Sequence, residues 1–376
     1  MKTVPTPPIW IDTSAQLAQC IACLTKEPII AVDTESDSLY SYYEKVCLVQ
    51  ISTPTSDYLI DPLNTDVAQL GPLFAEPSIQ KVFHAAEYDI LSLKRDYEFS
   101  FANLFDTMLA AKILGWPRFG LGPILEEHFG VTLNKRFQRY NWGKRPLSKE
   151  ALNYARFDTH FLLRLRDIQH NELRQQKRTR EAKEAFARQT RVSPSPKVFD
   201  PDDFWRVKNS KRLSPDEQAI LRELFITRDR IARKIDRPVF KVMNDATLVR
   251  LSEMVPQSVE QLKQVKGVGS NLLKYNSQDI LKAIEKGKAA PPPRYQSRQR
   301  RPDDDTLSRY EILRHWRNDL ASERGVEPDV IISNGLLMKI ARHNPQTVGA
   351  LTEVNGLGEW QLEKYGSALL SVLDQI

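Results

Sequence analysis

Hydrophobic positions change period along this chain, and the change marks its architecture. The run Ile29-Ile30-Ala31-Val32 is β-branched, uninterrupted and bounded by polar residues, which predicts a short buried strand. Residues 46–51 and 58–61 are further strand-like runs. The turn Ser52-Thr53-Pro54-Thr55-Ser56-Asp57 between them is short enough to require antiparallel pairing. Lys81-Val82-Phe83-His84 also has strand character, and Ala85-Ala86-Glu87-Tyr88-Asp89 opens a helix that continues through Leu91 and Leu93. Asp106 precedes an apolar helical run and is predicted as its N-cap, worth about 1 kcal/mol. Asp37, Glu44 and Asp61 border turns and are expected to face solvent. This part of the chain is predicted as α/β, a mixed sheet flanked by helices.

Further on, the helical period dominates and is broken twice. Residues 191–211 carry prolines and polar residues that interrupt it. Residues 286–305 hold three consecutive prolines and six Lys/Arg between Lys286 and Arg301 without an acid, the composition of an extended, exposed linker. The segments on either side of the second break repeat. Arg228, Pro256, Leu262 and Val265-Lys266-Gly267-Val268-Gly269 recur 89 positions later as Arg317, Pro345, Leu351 and Val354-Asn355-Gly356-Leu357-Gly358, whereas Pro238 and Asn244 match Pro328 and Asn334 one residue further on. Each copy begins with a long helix, over 217–234 and 307–324. Each ends in a Gly-x-Gly turn that either offers N–H groups to a phosphate or only turns the chain. The expected domains are residues 1–190, a linker 191–211, a helical module 212–288, a basic Pro-rich linker 289–305 and a second module 306–376.

Charge sharpens this division. The net charge is +6 over 376 residues. Residues 1–190 hold 23 Lys+Arg against 23 Asp+Glu, so all of the excess lies downstream, as in a neutral body with a basic appendage able to hold a polyanion. Arg228, Arg230, Arg233, Lys234 and Arg237 are the appendage's candidates for contact with a nucleic-acid backbone. No stretch reaches the length of a membrane span, and no signal-peptide core is present at the N-terminus, so the cytoplasm is expected. Cys20, Cys23 and Cys47 fit reduced structural thiols. The Cys20-x2-Cys23 pair has no second Cys or His pair to complete a zinc site.

The chemistry is carried by carboxylates. Asp33 and Glu35 follow the first strand two residues apart and therefore project to one side. Carboxylates held that close raise each other's pKa unless a cation lies between them. Asp89 is a third acid. Tyr154 and Asp158, four apart, share one face of a helix. Oxygen ligands without an accompanying Cys or His cluster favour Mg²⁺ or Mn²⁺ over zinc, and two such ions form the usual clamp for in-line displacement at phosphorus. Tyr154 is placed one turn away to orient, or help deprotonate, an attacking water.

The order D-x-E, H-x4-D and Y-x3-D resembles the tyrosine variant of the DEDD-type 3′-to-5′ exonucleases, specifically ribonuclease D and its exosome-associated relatives. The likeness extends through LFDTMLAAKILG, FGLGPILEEHFGVTLNKRFQRYNW and RPLSKEALNYARFDTHFLL. It implies a ribonuclease H-like fold and two Mg²⁺ (or Mn²⁺) held by Asp33, Glu35, Asp89 and Asp158, with Tyr154 beside the water. The repeated segments resemble the helicase-and-RNase-D C-terminal (HRDC) domain, an all-α bundle. One departure is Gln138-Arg139-Tyr140-Asn141-Trp142, where many relatives have Ser-Asp-Trp after the glutamine; it lies outside the metal set.

The expected reaction is hydrolysis of the last phosphodiester at an RNA 3′ end, precursor tRNA included, releasing nucleoside 5′-monophosphates. His84, Gln138, Trp142 and Arg145 are the candidate substrate contacts, with Trp142 and Tyr140 equally able to be core packing. A DNA exonuclease of the same superfamily and a non-catalytic RNA-binding module are the competing readings. The second of these predicts a lost carboxylate, and none is lost.

Overall fold

A computed structural model describes residues 7–196, 198–295 and 301–374; the remaining residues of the expected linker, 296–300, lie outside the described part. No described helix is long and apolar enough to cross a membrane.

Six strands form one mixed sheet: β1 Ile9–Ile11, β2 Ile29–Ser36, β3 Val46–Ser52, β4 Asp57–Ile60, β5 Gln80–Phe83 and β6 Leu104–Asp106, in the order β1-β4-β3-β2-β5-β6. The β3–β4 hairpin is antiparallel, as its short turn requires, with Ile51 opposite Tyr58. β2–β5 and β5–β6 are parallel, the connection from β5 to β6 being made by the helix Glu87–Tyr97 and that from β2 to β5 by the β3–β4 hairpin and short helices. β1 pairs parallel with β4. It has only three residues, too few to show a period, and the sequence pattern missed it.

The sheet is buried because its strands are: every residue of β3 is buried, and Ile30, Ala31 and Val32 of β2 are fully enclosed. Lys81 in β5 is enclosed as well. Its Nζ donates to the Glu76 carbonyl at 2.6 Å, and burial pushes its pKa down to about 8.

By contacts the chain divides into two compact units. One comprises Met1–Glu35, Val46–Pro194 and Arg301–Ile376, and the other Ser36–Lys45 and Ser195–Arg300. The second repeat therefore belongs to the same compact unit as the sheet. Buried Glu181, on the helix Thr179–Gln189, pairs with Arg324 at 2.7 Å. Glu184 of the same helix accepts from the Trp360 and Gln361 N–H groups at 2.6 and 3.3 Å, so a carboxylate of one element caps the helix Glu359–Leu373 of another. A Cβ on Gly358 would lie 2.0 Å from that carboxylate.

The repeats are helical, beginning with Pro215–Lys234 and Asp304–Arg324. N-caps Asn244 and Ser333, Ser258 and Thr347, and Gly269 and Gly358 all keep the offset of 89, as do the left-handed C-caps Val255 and Asn344. The one-residue shift inferred at Pro238 and Asn244 is thereby corrected, since Pro238 and Glu327, 89 apart, cap equivalent short helices. Buried Arg228 donates to Met243 O and Asp245 Oδ1 at 3.1 and 2.7 Å, and Arg317 does the same to Ile332 O and Asn334 Oδ1 at 3.0 and 2.6 Å. Gly267 and Gly356 have φ of +102° and +123°, the left-handed region that glycine tolerates.

Candidate active site

β2 places Asp33 and Glu35 on one face, and the helix Lys149–His160, capped by Ser148, brings Asp158 to them. One carboxylate oxygen from each of the three lies within 4.8 Å of the others. Asp89, in the first turn of the helix Glu87–Tyr97, is fastened beside them: its Oδ1 accepts from the Thr34 N–H at 3.0 Å and also from the Thr34 hydroxyl. The Gln50 amide reaches Asp33 Oδ2 at 3.4 Å.

The electrostatics are those of uncompensated acids. Burial and then the Asp89, Asp158 and Glu35 charges hold Asp33 well above the carboxylate range; burial, Asp158 and Asp89 do the same to Glu35. Asp158 is pushed up to about 8 by burial and by Asp89. Asp89 rises to about 7, mainly through burial, against the lowering effect of its bonds to Thr34. Tyr154 stands on the same helix, its ring 5.3 Å from Phe137 and 6.3 Å from Trp142. Burial, followed by the Asp158, Glu35 and Asp33 charges, drives its pKa far up in the metal-free protein.

Several expectations need correction. Trp142 is 2% exposed and packs with Phe137, Cys47 and Leu48 as core, leaving no face for a substrate. Arg145 is spent inside the protein on Asp61 Oδ2 and the Cys47 and Trp142 carbonyls at 2.7, 2.7 and 2.8 Å. Asp61 is therefore buried, as is Asp37, which accepts from Lys45 Nζ at 2.7 Å; neither is the solvent-facing turn residue that its local context suggests. His84 holds Thr107 Oγ1 at 2.9 Å through Nδ1, and burial lowers its pKa to about 4. Gln138 is exposed. In the basic set, Arg228 is buried against Asp245, whereas the others are exposed, Arg230 pairing with Asp279 at 3.1 Å and Arg233 with Asp229 at 2.7 Å.

Two supports escaped the sequence. Asp106 caps its own helix through Met108 and Leu109 N–H, and the same carboxylate accepts from Ala85 and Ala86 N–H at 3.1 and 2.9 Å. Ala85 has φ +62°, so this bond set pins the strained turn that delivers Asp89. Asp57 of β4 anchors the far side of the helix bearing Asp158, taking His160 Nδ1 at 2.8 Å and the Ser52 hydroxyl at 2.7 Å. Ser52 in turn meets the Thr159 hydroxyl.

Comparison with known proteins bears on the family. Residues 8–174 match the 3′-5′ exonuclease family model, and residues 217–284 and 306–373 each match the HRDC domain. The catalytic core of RRP6 from Trypanosoma brucei superposes with a TM-score of 0.71 at 30% identity, over 77% of this chain and 82% of that one. Ribonuclease D from Escherichia coli, described as an exoribonuclease involved in structured RNA processing, superposes with a TM-score of 0.67 at 25% identity over 98% of this chain and 99% of that one. The chain belongs to the ribonuclease D type of DEDD exonucleases.

The ribonuclease D architecture, a ribonuclease H-like α/β exonuclease domain followed by two all-α HRDC bundles, accounts for both the sheet and the repeats. DEDD exonucleases depend on divalent metal, and the buried acids are where this ribonuclease D-type chain has the donors for it. The exosome exonuclease RRP6 of Saccharomyces cerevisiae is 36% identical over 67% of the chain, which spans only 37% of that protein's length.

Proposed function

We propose that the chain is a 3′-to-5′ exoribonuclease that removes nucleotides one at a time from single-stranded RNA 3′ ends, precursor tRNA among them. The reading is carried by the gathering of Asp33, Glu35 and Asp158 oxygens within 4.8 Å, with Asp89 alongside. The charges acting on Asp33, Glu35 and Asp158 are all negative, and each is held above its ordinary pKa. Such a donor set of hard oxygens in mutual repulsion fits divalent cations, and we assign Asp33, Glu35, Asp89 and Asp158 as the residues that would hold two Mg²⁺ or Mn²⁺. Bound there, the cations would supply positive charge to the transition state at phosphorus and acidify water.

The protein's own share is positioning. Tyr154, its ring packed against Phe137, presents a hydroxyl suited to orienting the water. Asp106 fixes the turn before Asp89, and Asp57 fixes the helix of Asp158. Domains of residues 1–190, 212–288 and 306–376 remain our division of the chain. The free thiols Cys20, Cys23 and Cys47 accord with a cytoplasmic site of action.

The test is incubation of purified protein with 3′-extended tRNA, single-stranded RNA and single-stranded DNA, with Mg²⁺, Mn²⁺ or chelator. Release of nucleoside 5′-monophosphates from RNA, abolished by chelator and by Asp33→Asn, is the expected result. Full activity in Asp33→Asn defeats the assignment, and equal turnover of DNA defeats the choice of RNA.

A further inference from the structure

A cavity of 260 Å³ lies in the exonuclease domain, between the edge strand β6 and the helices Leu162–Gln175 and Thr179–Gln189. It is remote from the acids. Its lining includes Gln80, the register partner of Ile29, and Asp33 stands four residues beyond Ile29 along β2, about 13 Å further on. None of the residues assigned to metal or water lines it. The chain itself joins the two places, since the helix Leu162–Gln175 follows the one bearing Tyr154 and Asp158 with only Phe161 between them.

The cavity has two unlike walls. One is apolar: Leu104, Phe105, Leu173 and Phe186 are buried there, with the Phe105 and Phe186 rings 4.7 Å apart. The other is cationic, formed by Arg166, His170 and Lys183, and no carboxylate lines the cavity. Arg166 is aimed by a relay of bonds. Its Nε donates to Gln80 Oε1 at 2.8 Å, Gln80 Nε2 to Asn103 Oδ1 at 3.2 Å, and Asn103 Nδ2 to the Pro77 carbonyl at 2.9 Å. Arg166 Nη1 donates to exposed Asp167 at 2.8 Å. His170 and Lys183 make no hydrogen bond or ion pair among the described residues. Positive charge is in excess here. Burial first, then the Arg166 and Arg174 charges, with Lys183 adding to them and Asp167 opposing, hold the His170 pKa below its ordinary value, which keeps the ring neutral with one N–H to donate.

A ligand that satisfies both walls is a compact anion with a flat, apolar part. The volume is close to the roughly 300 Å³ at which small-molecule sites begin, too large for a bare phosphate and too small for a folded partner. Guanidinium and ammonium groups aimed at one place suit a phosphate monoester, and aromatic side chains opposite suit a ring. Read as an exonuclease, the chain releases a molecule of that kind at every turnover. We propose that this cavity is a second nucleotide site, remote from the catalytic acids, which takes a nucleoside 5′-monophosphate with its phosphate on Arg166, His170 and Lys183 and its base against Phe105 and Phe186. The choice of nucleotide rests on the exonuclease reading above, whereas the pairing of a cationic with an apolar wall does not.

The test is calorimetry of the full chain in chelator, titrated with adenosine 5′-monophosphate, adenosine and inorganic phosphate; without metal the active-site acids repel a phosphate. The nucleotide is expected to bind more tightly than either of its parts. Lys183→Glu, at an exposed position, and Arg166→Gln are each expected to weaken it by about tenfold, while Asp33→Asn binds it as the parent does. Absence of binding at millimolar nucleotide, or parental affinity in both Lys183→Glu and Arg166→Gln, overturns the proposal. Adenosine binding as tightly as the nucleotide overturns it by removing the phosphate as the cause, and inorganic phosphate doing so overturns it by removing the base. Loss of the nucleotide in Asp33→Asn places it among the acids and overturns it as well. If Lys183→Glu weakens binding of a thirty-nucleotide RNA and leaves nucleotide affinity unchanged, the cationic wall belongs to an RNA path and the proposal falls. Should the chain cleave no RNA in Mg²⁺, the exonuclease reading fails by itself, and the calorimetry still decides the cavity.

Discussion

Asp57 and Arg156 stand 3.1 Å apart, on the side of the Lys149–His160 helix that faces away from Asp158. The contact is an ion pair poorly aligned for a hydrogen bond, and Arg156 Nε and Nη2 find no acceptor among the described residues. Arg156 is 3% exposed, so its charge depends on Asp57. Asp57→Ala strands that buried charge and is expected to destabilise the exonuclease domain by about 3–5 kcal/mol. Denaturant unfolding measures it, and a loss below about 1 kcal/mol would mean that water reaches Arg156.

Removing one repelling acid should stabilise the metal-free protein even as it abolishes cleavage. Asp33→Asn is expected to raise the thermal midpoint in chelator by about 2–4 °C and to lose the further rise that Mg²⁺ gives the parent. Calorimetry with and without metal separates the two effects; a lower midpoint in chelator contradicts the picture of unbalanced charge.

The raised carboxyls also fix a pH dependence. Asp89 and Asp158 take up protons in the folded state near about 7 and about 8, whereas in the unfolded chain they titrate near about 4. Between those values the folded state binds more protons than the unfolded one, so metal-free stability falls as pH rises from about 4 to about 8. Mg²⁺ must displace those protons. Its binding is expected to release more protons at about pH 6 than at about pH 9, read by calorimetry in buffers of different ionisation enthalpy.

Attachment of the second HRDC domain is testable without nuclease activity. Glu184→Ala removes a cap from the helix Glu359–Leu373 and should cost about 1 kcal/mol. Arg324→Ala, which takes from buried Glu181 its ion-pair partner, should cost about 3–5 kcal/mol. Hydrogen exchange over residues 304–374 should quicken in that order, and unchanged exchange in Arg324→Ala would show that apolar packing alone holds the module.

What the sequence revealed and what it hid divide along one physical line, the distance to the partner. Asp33 with Glu35 and Tyr154 with Asp158 are legible because strand and helix periods place them together within a few residues. The repeats are legible for the same local reason. Asp61, Asp37 and Arg228 look like surface charges in the sequence because a turn or a helix face is all that their neighbours show. Asp61 meets Arg145 84 residues away, and Arg228 meets Asp245 17 residues away. The sequence shows Asp106 as the cap of its own helix but not its grip on Ala85, 21 residues earlier. Trp142 stood open between stacking and packing, and only its 2% exposure decides it.

The three-residue strand at the rim of the sheet has an effect out of proportion to its length. By pairing Ile9–Ile11 with Tyr58–Ile60 it occupies the amides and carbonyls that β4 would otherwise present to any passing chain. Proteolytic loss of the first dozen residues would therefore uncover a hydrogen-bonding template through which the protein could self-associate by its own sheet while the acidic cluster across the hairpin stays whole.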